Sequence, residues 1–521
     1  MSDVMSPNTQ AALISLGADR RSQPLASVSD DILLDIYLYL EVSQILQLRS
    51  ISHAMSRSTK SRSLWVILAW EKVIHENLPW SPDAWPLTTV ATRVIETLIV
   101  RALLLARTWR SGLQREVPYP SPTRCIRCPR GSVTWIHLVR SRWLLIGQEG
   151  GRLELWDLQR GDIACQATYV DGMNGYVSRG ITFTAKDQLK LVVSTSTDRV
   201  YGMDLFLPHL MEDDVGPVTD EMMVLNYTLV GFSVVLDARD TILAFSRSTA
   251  ENLPHVVDQR TGGCARLMKG HNDVKPQHTV DIQIRPDLII VAKDWNIVLY
   301  STSDVLAALE KSCSDGRALQ TVLATVSLEY PGKRMAWQVS IHSSSTHKGL
   351  AFVESDDIVL GAYVKNVGRF PKSNGGWVRW ALTRAVGLPW KPHTASFSYT
   401  DAPQPRTLPR LTPRVLKMCW GASGTRIAVM GFDMRCQNIV YPTVIEGFAY
   451  HELASEPIVP YGHPRWSIPN TSIEDMPWHC VLGEAAGIMV GAMCSGRVWV
   501  VDAAVPSDTV PSEYRLIPAT L

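Results

Sequence analysis

The sequence predicts an α+β multidomain protein, with a small N-terminal all-α bundle and a linker helix followed by a long all-β region. Three observations predict it. Apolar residues recur at three- and four-residue steps between Ile32 and Trp109. From about Val117 onward they come instead in short bursts separated by Gly, Asp, Asn and Ser. The 33 Gly and 31 Pro are heavy punctuation for a helical protein and suit many strands joined by turns.

Residues 1–22 mix Ser, Pro, Asn and Gln with few large apolar groups, which predicts a flexible arm. A helical module is expected over 23–75. Ser29 is placed as an N-cap, and Asp30 and Asp31 suit the positive end of a helix dipole. Ile32, Leu33, Ile36 and Leu40 then follow at helical spacing. Ser43 opens a second candidate with Ile45, Leu46, Leu48 and Ile51. After a Ser/Arg/Lys-rich joint, a third runs through Leu64, Trp65, Ile67, Leu68 and Val73.

On pattern alone, this is a local bundle that packs on the rest of the chain. The segment from Val28 to Trp65 also resembles an F-box, the motif by which substrate receptors dock on the Skp adaptor of cullin-RING ubiquitin ligases. The resemblance rests on Val28 and Ser29 at the start, Asp31, the pair Ile32 and Leu33, then Ile36, Leu40, Ser43 with Ile45, Ile51, His53 and Met55. Ser29 stands where Pro is usual, Ser43 where Asp is common and Met55 where Trp is common. What the resemblance implies is docking on a Skp adaptor, and through it a cullin-RING ligase, by Val28, Ile32, Leu33, Ile36, Leu40, Ile45, Leu48 and Ile51. The size of the module agrees, because so few residues do not bury all their aliphatic surface alone.

A linker region over 76–116 carries Val90, Val94, Ile95, Leu98, Ala102, Leu105 and Trp109 at three- and four-residue steps, which predicts one amphipathic helix over Thr89 to Trp109. The β region follows over 117–505, with a short tail at 506–521. Trp143–Gly147, the Gly150-Gly151 turn and Leu153–Asp157 read as two antiparallel strands around a tight turn. The phrase recurs with drift at Leu191–Ser194 with Val200–Asp204, Ile242–Phe245 with His255–Asp258, and Leu288–Ala292 with Asn296–Tyr300. Three further pairs are Gly349–Val353 with Ile358–Tyr363, Arg426–Met430 with Asn438–Tyr441, and Gly487–Gly491 with Arg497–Asp502.

Strands at Val133–Leu138, Val280–Ile284, Trp337–Ile341 and Val415–Trp420 precede four of these pairs. The spacing is near or above the roughly 40 to 50 residues of a four-stranded blade. The phrase, complete as Trp-Asp only at Trp156-Asp157, resembles the WD repeat, and the resemblance implies a seven-bladed β-propeller whose ring protects its sheet edges.

With 51 Lys plus Arg against 50 Asp plus Glu, the chain is not built as a whole to grip nucleic acid or an anionic membrane surface. The densest apolar stretch, Val94 to Ala106, is broken by Glu96 and Arg101, so no membrane span is expected. The start lacks a basic region ahead of an apolar core, and nine scattered cysteines are unlike a disulfide framework; both point to a cytoplasmic or nuclear protein with reduced thiols.

Cys125 and Cys128 have CxxC spacing, but no second pair follows at zinc spacing, so two free thiols in a strand-entry loop are expected and no metal. His479 and Cys480 are strand neighbours facing opposite sides, which suits blade core. No G-x-S-x-G elbow, phosphate loop or H-E-x-x-H helix occurs, and Gly147 to Gly151 sits between strands, the wrong context for phosphate. No cofactor or catalytic residue is implied.

Between Lys365 and Lys417 the basic residues Lys365, Arg369, Lys372, Arg379, Arg384 and Lys391, continued by Arg406, Arg410, Arg414 and Lys417, interleave with Trp377, Trp380, Trp390, Phe397 and Tyr399. This interval reads either as an insertion on one face of the ring that holds an acidic or phosphorylated peptide, or as a solvated loop with its Trp in the core. The function expected from the whole is that of a non-catalytic substrate receptor in an SCF-type ubiquitin ligase, with the propeller holding a protein target. The alternatives are a protein-binding scaffold without ubiquitin transfer and a hydrolase working at the central channel.

Overall fold

In the computed structural model the residues described are 29–76, 78, 80, 87–111, 123–128, 133–140, 142–158, 164–169, 173–185, 188–207, 222–232, 234–246, 253–270, 279–316, 318–330, 335–348, 351–365, 376–384, 395–400, 416–420, 426–433, 438–446, 477–483, 486–493 and 495–502. The arm expected over 1–22, Val28 and the tail expected over 506–521 lie outside the described residues. The chain divides into two compact units, Met1–Leu103 and Leu104–Leu521.

The first unit holds α1 (Asp30–Leu38), α2 (Val42–Leu48), α3 (His53–Ser58) and α4 (Arg62–Ala69), the last running into a π-helical turn at Trp70–Ile74. Ser29 is the N-cap of α1 by backbone conformation, although its side chain makes no capping hydrogen bond. The second helix starts ahead of the expected Ser43, because Glu41 and Gln44 form a reciprocal capping box. The Ser/Arg/Lys-rich joint is itself partly helical. Ser52 accepts a hydrogen bond from Met55 N–H and so opens α3.

Leu33, Tyr37, Val42, Ile45, Leu64, Trp65 and Leu68 form the core of this unit. Its polar ties converge on the end of α3. Tyr37 Oη lies 2.7 Å from Ser58 Oγ, and Trp65 Nε1 donates to the Thr59 carbonyl at 2.8 Å. Arg49 makes a two-pronged pair with Glu96 at 2.6 and 2.9 Å while its guanidinium lies over the Trp65 ring. The expected amphipathic helix is α5 (Thr92–Ser111), with Ile95, Ile99, Ala102 and Leu105 buried along its stripe.

The first strand of the second unit is β1 (Thr123–Arg127), and antiparallel meanders follow it. Sheet 1 is β2 (Val133–Val139), β3 (Trp143–Gln148), β4 (Leu153–Asp157) and β5 (Ala164–Tyr169). Sheet 2 is β6 (Val177–Ala185), β7 (Gln188–Thr195), β8 (Arg199–Leu205) and β9 (Met223–Val230). Sheet 3 takes β10 (Val234–Arg239), β11 (Ile242–Ser246), β12 (Pro254–Asp258) and β13 (Cys264–Met268).

Sheet 4 begins with β14 (Thr279–Ile284), β15 (Leu288–Lys293) and β16 (Asn296–Ser301). It is then interrupted by α6 (Thr302–Ser314) and β17 (Gln320–Leu323) before β18 (Val326–Glu329) completes it. Strand β17 pairs in parallel with β13 as a fifth strand of sheet 3, which antiparallel repeats do not announce.

Sheet 5 is β19 (Met335–Lys348), β20 (Ala351–Lys365), β21 (Gly376–Arg384) and β22 (Ala395–Thr400). This corrects the sequence reading twice. Gly349–Val353 and Ile358–Tyr363 are not a strand pair: Ala351–Val353 and Ile358–Tyr363 both lie on β20, and the polar run between them, expected to turn, is accommodated by an irregularity opposite Ser343 and Ser345. The interval from Lys365 to Lys417 therefore includes the third and fourth strands of this sheet rather than only an insertion.

Sheet 6 comprises β23 (Leu416–Trp420), β24 (Arg426–Asp433) and β25 (Asn438–Glu446). Sheet 7 is β26 (Pro477–Gly483), β27 (Ile488–Met493) and β28 (Arg497–Asp502), and its fourth strand is β1, brought from the start of the unit. Six of the seven expected strand pairs are hairpins between neighbouring strands.

First strands of successive sheets lie side by side, from β26 through β2, β6, β10 and β14 to β19, and β23 lies beside β26. Apolar layers fill the spaces between sheets: Ile126, Val490 and Val498 against Leu144 and Ile146, Leu145 and Leu155 against Leu191 and Val193, Val192 and Val200 against Leu243 and Phe245, and Val256 against Ile289 and Val298. Because sheets cover both of their faces, β3, β15 and β27 are buried along their whole length. Such strands read as continuous apolar runs instead of alternating ones.

Candidate functional site

Helix α1 carries apolar groups on two sides. Leu33 and Tyr37 point into the core, whereas Ile32 and Ile36, one turn apart, are 55% and 43% exposed, and Tyr39 just past the helix is 91% exposed. Ile51, between α2 and α3, is exposed as well. Asp31 and Asp35 flank this surface and are exposed.

Of the residues the F-box resemblance puts on a partner, Ile32, Ile36 and Ile51 are thus outward, Leu40 and Leu48 are half-buried, and Val28 is outside the described residues. Leu33 and Ile45 are buried in the core of the unit. Tyr39 was not among the expected residues; it is the most exposed large apolar side chain described, and its place one turn beyond Ile36 is the signal that marks it.

The second polar concentration lies along the first strands of the sheets. Six of these strands shift register near their start, at Val133/Trp135, Val177/Arg179, Val235/Asp237, Thr279/Asp281, Ala336/Gln338 and Pro477/His479. A bulge re-aims the residue that follows it. The Asp237 carboxylate accepts the Ile284 N–H at the end of β14, and the Asp281 carboxylate accepts the Ile341 N–H of β19 at 3.2 Å. Arg179 of β6 reaches Asp281 at 3.1 Å, and Ser194 accepts the Val235 N–H.

His137 Nε2 lies 2.9 Å from Thr182 Oγ1, and the His137 ring stacks on Trp135. Burial and the neighbouring Arg179 guanidinium lower the His137 pKa to about 4, so the imidazole is neutral at pH 7. Burial raises Asp237 to about 7, against the backbone N–H groups that favour its charged form, and Asp281 is also raised by burial. The group therefore laces sheets 1 to 5 together, side chain to side chain between sheets 1 and 2 and from backbone N–H to side chain between successive sheets from 2 to 5.

The Trp-Asp phrase ends in a buried pair. Asp157 is fully buried, and its carboxylate takes two hydrogen bonds from Arg142, at 3.1 and 2.8 Å. Trp156 Nε1 donates to Glu154, which Arg152 also holds.

Cys125 lies on β1 opposite Trp499 and Cys128 just beyond the strand. Burial, aided by the Glu154 charge, raises the Cys128 thiol to about 12, which keeps it protonated. Among the described residues no group of three or more His, Cys, Asp and Glu is placed to hold a metal ion, and no helix is long and apolar enough to cross a membrane. Cys480 of β26 faces Cys419 of β23.

Of the candidate target-binding residues, Arg369, Lys372 and Lys391 lie outside the described residues. Lys365 ends β20 opposite Met335, Arg379 on β21 pairs with Gly361, and Arg384 ends β21 opposite Ala395.

No family model matches the chain, and no curated protein matches it. Among solved structures, the β-propeller domain of Cps50 (Swd1) from Myceliophteria thermophila is similar at 11% identity, over 72% of this chain and 99% of that one, with a TM-score of 0.43. Sqt1 from Chaetomium thermophilum is similar at 12% identity, over 74% of this chain and 99% of that one, with a TM-score of 0.43.

Proposed function

We propose that this chain is a non-catalytic substrate receptor of an SCF-type ubiquitin ligase, resident in the cytoplasm or nucleus. Its N-terminal helices dock on a Skp adaptor, and its seven sheets are the blades of one β-propeller that binds a protein target. The observation that carries the reading is the outward apolar surface of Ile32, Ile36, Tyr39 and Ile51 on a helical unit that already has a complete core of its own. Exposed aliphatic and aromatic groups at helical spacing are what a partner's helix groove takes up. Ring closure is supported by β1, the first strand of the β region, completing the sheet that holds the last.

A hydrolase reading is less well supported. The His and carboxylates that lie along the first strands are engaged in ties between sheets. Basic residues of sheet 5, Lys365, Arg379 and Arg384, with Arg369, Lys372 and Lys391, remain the proposed contacts to an acidic or phosphorylated target.

Co-purification of the full chain with a Skp adaptor tests the reading, with an Ile32→Asp/Ile36→Asp variant alongside. Both side chains are exposed, so the variant keeps its circular dichroism and melting temperature while adaptor affinity drops on the order of 30-fold or more. An adaptor that ignores the wild-type chain overturns the reading. An adaptor complex that recruits no cullin makes the chain a protein-binding scaffold without ubiquitin transfer.

A further inference from the structure

Sheets 6 and 7 meet through their first strands, and on that seam two sulfurs are in contact. Cys419 is the fourth residue of β23 and pairs across to Ala428. Cys480 lies on β26 and pairs across to Gly491. Their Sγ atoms are 3.4 Å apart and both residues are half-buried. A disulfide bond requires the sulfurs to close a further ~1.4 Å, which is within reach of small side-chain rotations.

We propose that Cys419 and Cys480 are a redox modification site, oxidised by a low-molecular-weight disulfide to an intersheet bond that fastens β23 to β26. The thiolate of one cysteine attacks the small disulfide, forming a mixed disulfide and releasing one small thiol. The second cysteine then attacks the protein sulfur of that mixed disulfide and expels the other small thiol. Two protein S–H bonds are lost and one S–S bond forms. The two protons leave on the two small thiols, and the two electrons given up by the protein reduce the small disulfide.

The position gives the bond a structural effect. Sheet 6 has three described strands where its neighbour sheet 7 has four, and β23 is the strand that lies beside β26. A covalent tie there removes freedom from the sheet with the fewest described pairings. Cys128, whose thiol stays protonated, is a poor competitor for the same oxidant.

The full chain, incubated natively across a range of oxidised to reduced glutathione ratios and then alkylated and digested, tests this directly. The expected result is loss of two of the nine thiols together with a peptide linked through Cys419 and Cys480. Hydrogen exchange at 416–420 and 477–483 slows in the oxidised form, and Cys480→Ser abolishes both effects. Nine alkylated thiols at every ratio, a linkage through other cysteines, or a mixed disulfide that never closes each overturns the proposal. The peptide map is read on the wild-type chain, so it decides the matter even if the serine variant fails to fold.

Discussion

Asp157 illustrates how one residue of a degenerate signature is held. It is fully buried, and the forked contact with Arg142 neutralises it. Removing one partner of a buried ion pair leaves the other charge uncompensated, so Asp157→Ala is expected to cost about 3 to 5 kcal/mol in chemical denaturation. A loss below about 1 kcal/mol contradicts that account. Asp237 behaves differently, because its pKa in the folded chain is raised, from 3.8 to about 7. The folded state then holds a proton that the unfolded state has released, so this group lowers stability progressively as pH rises from about 4 to 7. His137, lowered to about 4, has the opposite sign: its contribution is complete above the ordinary histidine pKa of 6.5 and is lost as pH falls from there towards 4. The two oppose each other in one window, next to Arg179 and Asp281. Asp237→Asn keeps an oxygen for the Ile284 N–H and removes the titration. The stability of the variant relative to wild type therefore falls as pH is lowered from 7 to 4, by a few kcal/mol at most. Equal pH profiles for the two proteins refute the assignment. The outward and inward residues of α1 were not separable in the sequence for a related reason. Ile32 with Ile36 and Leu33 with Tyr37 are both apolar pairs at the same four-residue step, and only the packing of α4 decides which pair is covered.

Elements were legible where local chemistry marked them. Short apolar bursts around Gly, Asp or Asn gave six strand pairs because each needs only a turn and two neighbouring strands. Strand β20 was not legible as one strand, because a polar run lies inside it and a bulge and a turn ask for similar residues. Helix α6 was not legible either, although Ser301 caps it and Asp304 sits in its first turn, because it is one short helical stretch inside a long run of strand signals. The parallel β17 was not legible at all; its pairing with β13 depends on where α6 brings the chain back. Contact between elements also fixes glycine positions. A Cβ on Gly180 of β6 would stand 2.6 Å from the Trp135 ring of β2, the ring that stacks on His137. Gly180→Ala must displace that ring, with an expected loss of about 1 to 3 kcal/mol and a downfield change in the His137 environment by NMR. An unchanged denaturation midpoint and His137 signal would show that β2 and β6 have room to spare.

For the whole molecule, the order in which the sheets follow one another is local and the closing contact is not. Nothing in the residues from Thr123 to Arg127 names Arg497 to Val501 as their partner; that register exists only once the intervening sheets have brought the two ends of the β region together. Ile126 is the group that most commits β1 to this place, being buried among Val498, Val500, Ile136 and Ile146. A charge there is costly in proportion to the burial it disrupts, so Ile126→Asp is expected to release β1 while the other sheets keep their internal pairings. Strand β28 then presents an unpaired edge, which is a template for another chain. Two measurements follow from that one cause. Amide exchange accelerates first at 497–501 while 143–157 stay protected, and light scattering shows self-association that grows with concentration. If exchange at 497–501 does not change, β1 is not what holds the last sheet, and the proposed closure of the ring through that strand is wrong. If every sheet loses protection together, closure through β1 is a condition for the entire β unit to fold rather than a clasp added at the end.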